Sequence, residues 1–224
     1  MSSSGDMSRT TDSVGAAIDA FRRGRPVCIH DAADREGETD LVYPAGAVTP
    51  DAVARMRNDA GGLVCVALSD DVSAALDLPF VQDVLDHPTA ADHDLAYDDR
   101  SSFSITVNHR ETHTGITDED RALTISELAT AVADPDPAAF AETFRAPGHV
   151  HLLRAAPGLL ADRQGHTELG IALANAAELP PAVVVCEMLD DETGRALPPA
   201  TAQAYAERSD IPYVEGAELL ERFG

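Results

Sequence analysis

The sequence predicts an α+β protein, a three-layer α/β/α sandwich around one mixed, twisted sheet. Segments with helix and strand patterns alternate along the chain, and neither a Ser/Gly-rich linker nor an internal repeat separates them. Such alternation is typical of helices that cover the faces of a sheet. A length of 224 residues suits one domain. We therefore predict a disordered polar tail over residues 1–12 and a single domain over residues 13–224.

The first half of the chain predicts two helices and three strands. Asp12 can cap a helix that ends before Gly24, since apolar residues recur there at helical spacing. Thr49 and Pro50, a cap followed by a first-turn proline, open a second helix that continues to Gly61. Short apolar runs predict strands at residues 26–30, 39–44 and 63–69.

The second half predicts four helices and four strands. Thr124 and Glu127 have the spacing of a capping box, which starts a helix that ends at about Ala133, before the Asp-Pro-Asp-Pro run at residues 134–137. Further helices are predicted at residues 166–179, 199–208 and 216–223. Strands are predicted at residues 102–109, 150–155, 182–189 and 212–214.

A doubly wound nucleotide-binding fold would show a similar alternation. Its phosphate-binding loops have the patterns G-x-G-x-x-G or G-x-x-x-x-G-K-[ST], in which glycines let the backbone approach a phosphate. Neither pattern occurs in this chain. The sequence therefore argues against the usual nucleotide-binding sites.

Charge is the unusual feature of the composition. The chain has 39 acidic residues and 16 basic ones, all of them arginine, for a formal net charge of −23. A surface with this much negative charge repels nucleic acid and anionic membranes. We therefore expect neither as a partner. Because the acids are spread along the chain, they favour solvation in a salty, halophilic cytoplasm over a dedicated cationic partner.

Nothing in the chain predicts secretion or a membrane span. The first dozen residues are polar, and no stretch of 18 uncharged apolar residues occurs anywhere. Cys28, Cys65 and Cys186 lie far apart without a C-x-x-C pair, which argues against zinc ribbons and iron–sulfur clusters. We expect a cytoplasmic protein.

An acidic run at residues 31–40 is the first candidate site. Asp34, Glu36, Glu38 and Asp40 are spaced by two, so an extended backbone places them on one face. Converging carboxylates suit magnesium. In so acidic a chain, a solvated loop is the more common explanation, but the run directly follows a predicted strand.

Three further patterns contain residue types that take part in catalysis or binding. His149 follows Gly148 at the predicted entrance of a strand, although a single histidine is more often structural. The R-Q-G-H-T segment at residues 163–167 joins a guanidinium, an imidazole and a hydroxyl at a helix start, where backbone N–H groups favour phosphate. Glu187 closes a buried strand, so it is either paired or functional.

Seven ordered motifs connect these candidates: D-x-x-D-R-E-x-E-x-D, G-G-L-V-C, F-S-I-T-V-N-H-R, T-G-I-T-D-x-D-R, R-x-P-G-H-V, R-x-G-H-T-E and V-x-C-E-M. Over about residues 14–222 the chain resembles the archaeal form of the 3,4-dihydroxy-2-butanone 4-phosphate synthases. The resemblance implies a lyase of riboflavin biosynthesis that acts on ribulose 5-phosphate and releases formate. It also implies a homodimer and two Mg²⁺ or Mn²⁺ ions per site. The chain stops without a second, GTP cyclohydrolase II domain, so a monofunctional enzyme is expected.

The resemblance also implies roles for individual residues. The metal ligands are Glu36 and His166. The catalytic positions are His149, Glu187, Glu38 and Cys65. The substrate-binding positions are Arg35, Glu36, Asp40, Thr114, Arg163, Gln164, Gly165, His166, Thr167 and Glu187. The family usually has Asn where this chain has Gly37, which is a departure within the acidic run.

The missing lysine supports metal-assisted chemistry independently. A divalent ion that polarises the carbonyl assists the enolisation of a ketose phosphate, and the other common route, a Schiff base, needs a lysine amine. Since the chain contains no lysine, the sequence favours the metal route if the substrate is a ketose phosphate. Another metal-dependent sugar-phosphate aldolase or isomerase, or a non-catalytic acidic adaptor on the same fold, are the alternatives.

The charge predicts a strong dependence of stability on salt. Self-repulsion from a net charge of −23 destabilises the compact state, and ions screen that repulsion within about 10 Å at 0.1 M salt. We expect the melting temperature to rise markedly between dilute buffer and molar KCl, as calorimetry would measure. A flat or falling profile would indicate that the acidity serves a cationic partner.

Overall fold

The computed structural model describes residues 12–32, 35–90 and 100–224. The predicted tail at residues 1–12 lies outside this part, except for Asp12, whose side chain accepts a hydrogen bond from the N–H of Gly15 and caps the first helix. No helix among the described residues has the length and apolar character needed to cross a bilayer.

One seven-stranded sheet forms the centre of the described chain. The strands are β1 (Val27–His30), β2 (Thr39–Pro44), β3 (Cys65–Leu68), β4 (Phe103–His109), β5 (Phe144–Arg154), β6 (Ala182–Val185) and β7 (Tyr213–Glu215). Their order across the sheet is β4-β5-β3-β6-β2-β1-β7. β1 pairs with β7, and β3 with β5, in parallel, whereas the other pairs are antiparallel. The sheet is therefore mixed, as predicted.

Helices cover both faces of the sheet. They are α1 (Ser13–Arg22), α2 (Pro50–Arg55), α3 (Asp70–Ala75), α4 (Val81–Val84), α5 (Asp118–Ala133), α6 (Pro137–Thr143), α7 (His166–Ala176), α8 (Pro199–Arg208) and α9 (Gly216–Phe223). The face that carries Ile29 packs against α1, α7 and α9. The opposite face, which carries Cys28, packs against α2, α3, α5, α6 and α8. The two buried clusters confirm the three-layer sandwich.

The longest helix begins earlier than its sequence pattern predicts. Thr117 caps α5, and its hydroxyl accepts a hydrogen bond from the N–H of Asp120 at 3.1 Å. Three acidic residues in the first turn favour this start, because they complement the positive end of the helix dipole. The capping box predicted at Thr124 is wrong, since Thr124 is fully buried in the helix interior.

Two strand boundaries also differ from the prediction. β5 begins at Phe144 rather than at residue 150, because pairing with β4 extends beyond the apolar run, and His149 therefore lies inside this strand. β6 ends at Val185 rather than at residue 189, since the chain beyond it forms only isolated bridges, including Asp40 with Glu187. This early end of the ladder places Glu187 beside the start of β2.

The helices show smaller differences. The helix predicted from Pro50 to Gly61 consists of α2 and a π-helical turn, Met56–Ala60. Gly61 ends it with a φ of 85°, a left-handed conformation suited to glycine. The short helices α3, α4 and α6 were not predicted, because four to seven residues are too few for a periodic apolar pattern.

The buried hydroxyl of Thr124 generates a stability prediction. It accepts a hydrogen bond from the N–H of His109 at 3.0 Å and donates one to the carbonyl of Asp120 at 2.9 Å. Thr124→Val keeps the shape but leaves the His109 N–H unpaired, so we expect a loss of about 1–3 kcal/mol in the free energy of unfolding. Urea unfolding measures this loss.

Thr130→Val is the matched control. Thr130 is exposed on the same helix, and its hydroxyl only donates to the carbonyl of Ser126. We expect this substitution to change the free energy of unfolding by at most about 0.5 kcal/mol. Equal losses in the two variants would contradict a structural role for the hydrogen bond to β4.

Candidate active site and metal centre

A cavity of about 110 Å³ opens at the start of α7, near the ends of β1 and β6. Seven of the residues predicted from the sequence line it: Arg35, Glu36, Asp40, Arg163, His166, Thr167 and Glu187. Ser101, Ser102 and Phe103, at the start of β4, form another wall together with apolar side chains of β5 and β6. The fold thus assembles segments that are far apart in the sequence.

Asp31 folds the acidic run into a compact turn after β1. Its buried carboxylate accepts hydrogen bonds from the N–H of Glu38 at 3.0 Å and the N–H of Glu36 at 3.3 Å. Arg35 Nη1 lies 3.7 Å from the same carboxylate. These contacts place the side chains of Arg35 and Glu36 in the cavity. Asp34, which belonged to the predicted series, lies outside the described residues.

Gly37 departs from the family pattern without changing the turn. Its φ is 67°, which is in the left-handed region. Glycine adopts this conformation freely, and asparagine tolerates it better than most other residues do. Both residues therefore suit the same backbone.

His166 begins α7 and is almost completely buried. Its Nε2 lies 3.2 Å from the carbonyl oxygen of Ile29, so this nitrogen donates a hydrogen bond to the backbone. Its Nδ1 points to two carboxylates, Glu36 Oε2 at 3.5 Å and Asp40 Oδ1 at 3.6 Å. In the neutral ring, Nδ1 then presents a lone pair, the arrangement found in histidines that bind metals.

Burial and mutual attraction set the protonation of this cluster. Burial opposes the charge of His166, but Asp40, Glu36 and Asp31 together raise its pKa to about 9. Burial raises the pKa of Asp40 to about 8 against the attraction of His166. Burial also opposes the charge of Glu36, but the contact with His166 and the charge of Arg35 outweigh burial and lower the pKa of Glu36.

Three ligand groups meet closely enough to hold one metal ion. The ligand atoms of Asp31, Glu36 and His166 all lie within 4.8 Å of one another. Sequence reasoning missed Asp31, because it is out of phase with the carboxylates spaced by two. Its position directly after a strand was the available signal. Oδ1 of Asp40 is buried and accepts no hydrogen bond within the described chain, so it also has free ligand capacity.

A cationic wall stands next to this acidic cluster. Arg163 hydrogen-bonds through Nη1 to the hydroxyl of Ser102 and lies 3.5 Å from Oε2 of Glu168. Glu168 is completely buried and also accepts a hydrogen bond from the N–H of Ala156 at 3.0 Å. Thr167, in the first turn of α7, lines the same wall. Sequence reasoning missed Ser102 and Glu168, although Glu168 belongs to the R-x-G-H-T-E motif.

Gly165 lets the two arginines share the cavity. Any Cβ at this position would overlap the guanidinium of Arg35, which lies against the backbone that caps α7. The positive end of the helix dipole, Arg35 and Arg163 thus converge near one point. Such a group is suited to an anion.

Glu187 lines the cavity next to the end of the acidic run, because it bridges to Asp40. Oε2 of Glu187 accepts a hydrogen bond from the N–H of Leu63 at 2.8 Å, and Gly62 leaves room for this carboxylate. Cys65 is buried beside it in β3, where burial and then the charge of Glu187 raise the pKa of its thiol. Glu38 has a raised pKa through burial and the nearby carboxylates of Glu36 and Glu187.

Six predicted residues do not line the cavity of their own chain. Glu38, Cys65 and Gly165 lie close to residues that do line it, whereas the other three lie elsewhere. His149 is exposed on β5, where it contacts Asn108. Thr114 is exposed, and its hydroxyl donates to Asp120 at 3.3 Å. Gln164 is exposed and lines a separate groove beside the end of the chain. Their predicted roles stay predictions.

A family model described as 3,4-dihydroxy-2-butanone 4-phosphate synthase matches residues 15–222. The chain belongs to the 3,4-dihydroxy-2-butanone 4-phosphate synthase family. This confirms the family resemblance of its seven motifs and identifies the chain as a lyase. The R-x-G-H-T-E and acidic-loop motifs, on which the resemblance to this family rests, meet at the cavity at the start of α7.

Individual relatives support this membership. A 3,4-dihydroxy-2-butanone 4-phosphate synthase from Methanothermobacter thermautotrophicus is 46% identical over 215 residues, covering 92% of this chain and 94% of that protein. One from Archaeoglobus fulgidus is 48% identical and covers 92% of both chains. A crystal structure of a synthase in complex with two magnesium ions has a TM-score of 0.76 and 31% identity, covering 93% of this chain and 95% of that one.

The buried cluster predicts that stability falls with pH when no divalent ion is bound. The folded pKa of His166 is about 9 against an ordinary value of 6.5, so its proton stabilises the fold fully below pH 6.5, and this contribution disappears as the pH rises through 9. Asp40, with a folded pKa of about 8, acts in the same direction. For each extra proton that the folded state holds, the free energy of unfolding falls by up to about 1.4 kcal/mol per unit of pH increase.

Urea unfolding in EDTA between about pH 6 and about pH 9 measures this slope. His166→Gln removes one titrating group, so we expect a flatter profile. His113→Gln is the control, since His113 is exposed. The same slope in the wild type and in His166→Gln would contradict the assignment to the buried imidazole.

Proposed function

We propose that this chain converts D-ribulose 5-phosphate into L-3,4-dihydroxy-2-butanone 4-phosphate and formate, in the cytoplasm, as a step of riboflavin biosynthesis. One observation carries the proposal: carboxylates with an imidazole and a group of cationic and hydroxyl side chains line the same cavity. Glu36 and His166 belong to the first group, and Arg163 and Thr167 belong to the second. A ketose phosphate has a chelating carbonyl and hydroxyl at one end and a phosphate at the other, so it matches both groups.

We infer that the acidic cluster holds magnesium or manganese, with two ions per site. Glu36 and His166 are the proposed ligands, and Asp31 and Asp40 complete the set of hard donors around them. The lone pair of His166 Nδ1 fits a divalent ion, as does the buried Oδ1 of Asp40, which accepts no hydrogen bond from the described residues. When bound, such an ion supplies Lewis-acid polarisation of the substrate carbonyl.

The phosphate is proposed to bind at the start of α7. Arg163 is held there by Ser102 and Glu168, so little side-chain freedom is lost when it meets the phosphate. The hydroxyl of Thr167 and backbone N–H groups at the start of α7 add further donors. Arg35, Gly165 and Gln164 belong to the same proposed binding region.

The acid–base work is proposed for His149 and Glu187, assisted by Glu38 and Cys65. The reaction requires proton removal beside the carbonyl, loss of the C1 hydroxyl as water, a skeletal shift, hydration and loss of C4 as formate. Burial and neighbouring carboxylates raise the pKa of Glu38, which suits a group that returns a proton. The buried thiol of Cys65 has a raised pKa and stays neutral.

We infer a homodimer with its active sites near the subunit interface. His149 and Thr114 are exposed and lie outside the cavity of their own chain, so the partner's cavity is the place where they can meet substrate. β4 is an edge strand, and Phe103 at its start is 39% exposed although it lines the cavity. Leu63, 41% exposed next to Glu187, adds apolar surface at the same rim.

Labelled substrate tests the reaction. Ribulose 5-phosphate with ¹³C at C4 should give ¹³C-formate and an unlabelled four-carbon phosphate, as NMR detects. His149→Ala and Glu187→Gln should each reduce formate at least about 100-fold, as is typical when a general acid or base is lost. An aldolase or isomerase releases no formate, and an adaptor turns over nothing, so absence of formate would overturn the proposal.

Metal binding has a readout that does not depend on turnover. At about a 100-fold excess of Mg²⁺ over its Kd, binding adds about 2.7 kcal/mol to the stability of the folded chain. We expect Glu36→Gln to lose this magnesium-dependent rise in melting temperature. Glu111→Gln, at an exposed position, should keep it. The same rise in both variants would remove Glu36 from the metal site.

A further inference from the structure

Asn108 and His149 face each other across the neighbouring strands β4 and β5. The backbone N–H of His149 donates a hydrogen bond to Asn108 Oδ1 at 2.7 Å. The amide nitrogen Nδ2 of Asn108 lies 3.1 Å from Nδ1 of the His149 ring. Asn108 is only 4% exposed, whereas His149 is exposed. A buried amide therefore contacts both the backbone and the exposed imidazole of His149.

The backbone contact determines which way the Asn108 amide points. A backbone N–H can only donate, so the amide atom that it meets must be the oxygen. The other end of the amide is then an NH₂ group, which only donates. Of the two amide atoms, Nδ2 is the nearer to Nδ1, at 3.1 Å against 3.3 Å for Oδ1. Because Nδ2 can only donate, this geometry favours Nδ1 of His149 as the acceptor.

Two glycines hold the Asn108 amide in place. Gly115 has a φ of 89°, and any Cβ there would overlap the Asn108 side chain. Gly148 packs against the backbone of β4, where any Cβ would overlap Val107, and its N–H donates to Thr106 Oγ1 at 3.0 Å. Both glycines belong to motifs identified in the sequence, T-G-I-T-D and R-x-P-G-H-V. Their lack of side chains keeps the amide next to the imidazole ring.

We propose that Asn108 is a positioning residue that fixes the tautomer of His149, with the proton on Nε2 at the outward edge of the ring. In a ring protonated at both nitrogens, the Nδ1–H donor would face the NH₂ donor of Asn108, and the two would repel each other. The Nε2 proton of His149 is then directed outward for the acid–base work that is proposed for His149 and Glu187. This role rests on the proposed function, whereas the tautomer does not.

The tautomer can be measured directly in the wild-type protein. The ring nitrogens of ¹⁵N-histidine-labelled protein report which nitrogen carries the proton, and His149→Gln identifies the signal by its loss from the 8 histidines. We expect His149 to have a protonated Nε2 and an unprotonated Nδ1 near neutral pH. A protonated Nδ1 would overturn the proposal without any variant being needed.

Asn108→Asp tests the consequence for turnover. The carboxylate keeps the shape and still accepts the His149 backbone N–H, but it replaces the NH₂ donor by an acceptor, so Nδ1 should become protonated. We expect kcat for formate release to fall at least about 100-fold with KM changed by less than about threefold, since a wrong tautomer disables a correctly placed imidazole. Asn175→Asp, which adds the same charge at an exposed position of α7, should keep the wild-type kcat.

The outcomes separate this proposal from the proposed function. If Asn108→Asp moves the proton to Nδ1 and kcat falls, the positioning role stands. If the proton moves and kcat is unchanged while His149→Ala is inactive, the role of the tautomer is overturned and the reaction stands. If the wild type releases no formate, the proposed function fails, and the ring signals still decide whether Asn108 fixes the tautomer.

Discussion

A buried imidazole at the first residue of α7 is the constraint on which the rest of the site depends. His166 is removed from water, and an isolated charge there would be unstable, so carboxylates must surround it. Those carboxylates come from the turn after β1 and from the start of β2. The same arrangement leaves a lone pair and carboxylate oxygens together, which is why one cluster serves both the stability of the fold and metal binding.

In the cationic half of the cavity, buried carboxylates pair with arginines in the same way as carboxylates surround the imidazole of His166. Arg35 lies beside Asp31 and Arg163 beside Glu168, and both carboxylates are completely shielded from water. Each arginine is thereby oriented before a substrate arrives. A cavity that presents preorganised charges of both signs can separate the phosphate of a sugar phosphate from its chelating oxygens. In a chain with a net charge of −23, such local pairing is necessary for an anion to bind at all.

The mixed sheet brings these groups together. β1 and β2 are antiparallel neighbours, so the acidic run between them is closed into a turn whose two ends are adjacent. β2 also pairs antiparallel with β6, and the bridge between Asp40 and Glu187 extends that pairing past the last ladder residue. Two sets of helices cover the opposite faces of the sheet. The cavity therefore opens at the end of the sheet, next to the start of α7.

Local patterns in the sequence determined most elements and the family. Apolar runs predicted the strands, and the motifs predicted that Glu36, Arg163, His166 and Glu187 belong to one site. Tertiary structure alone decided what long-range contacts control: the true start of α5, the reach of β5 and the packing of His149 against Asn108. The physical reason is that capping and periodicity act within a few residues, whereas pairing, burial and pKa depend on neighbours that are distant in the sequence. Asp31 and Glu168 show this clearly, because both are buried beside an arginine that is oriented by the fold, which the spacing of the acids does not indicate.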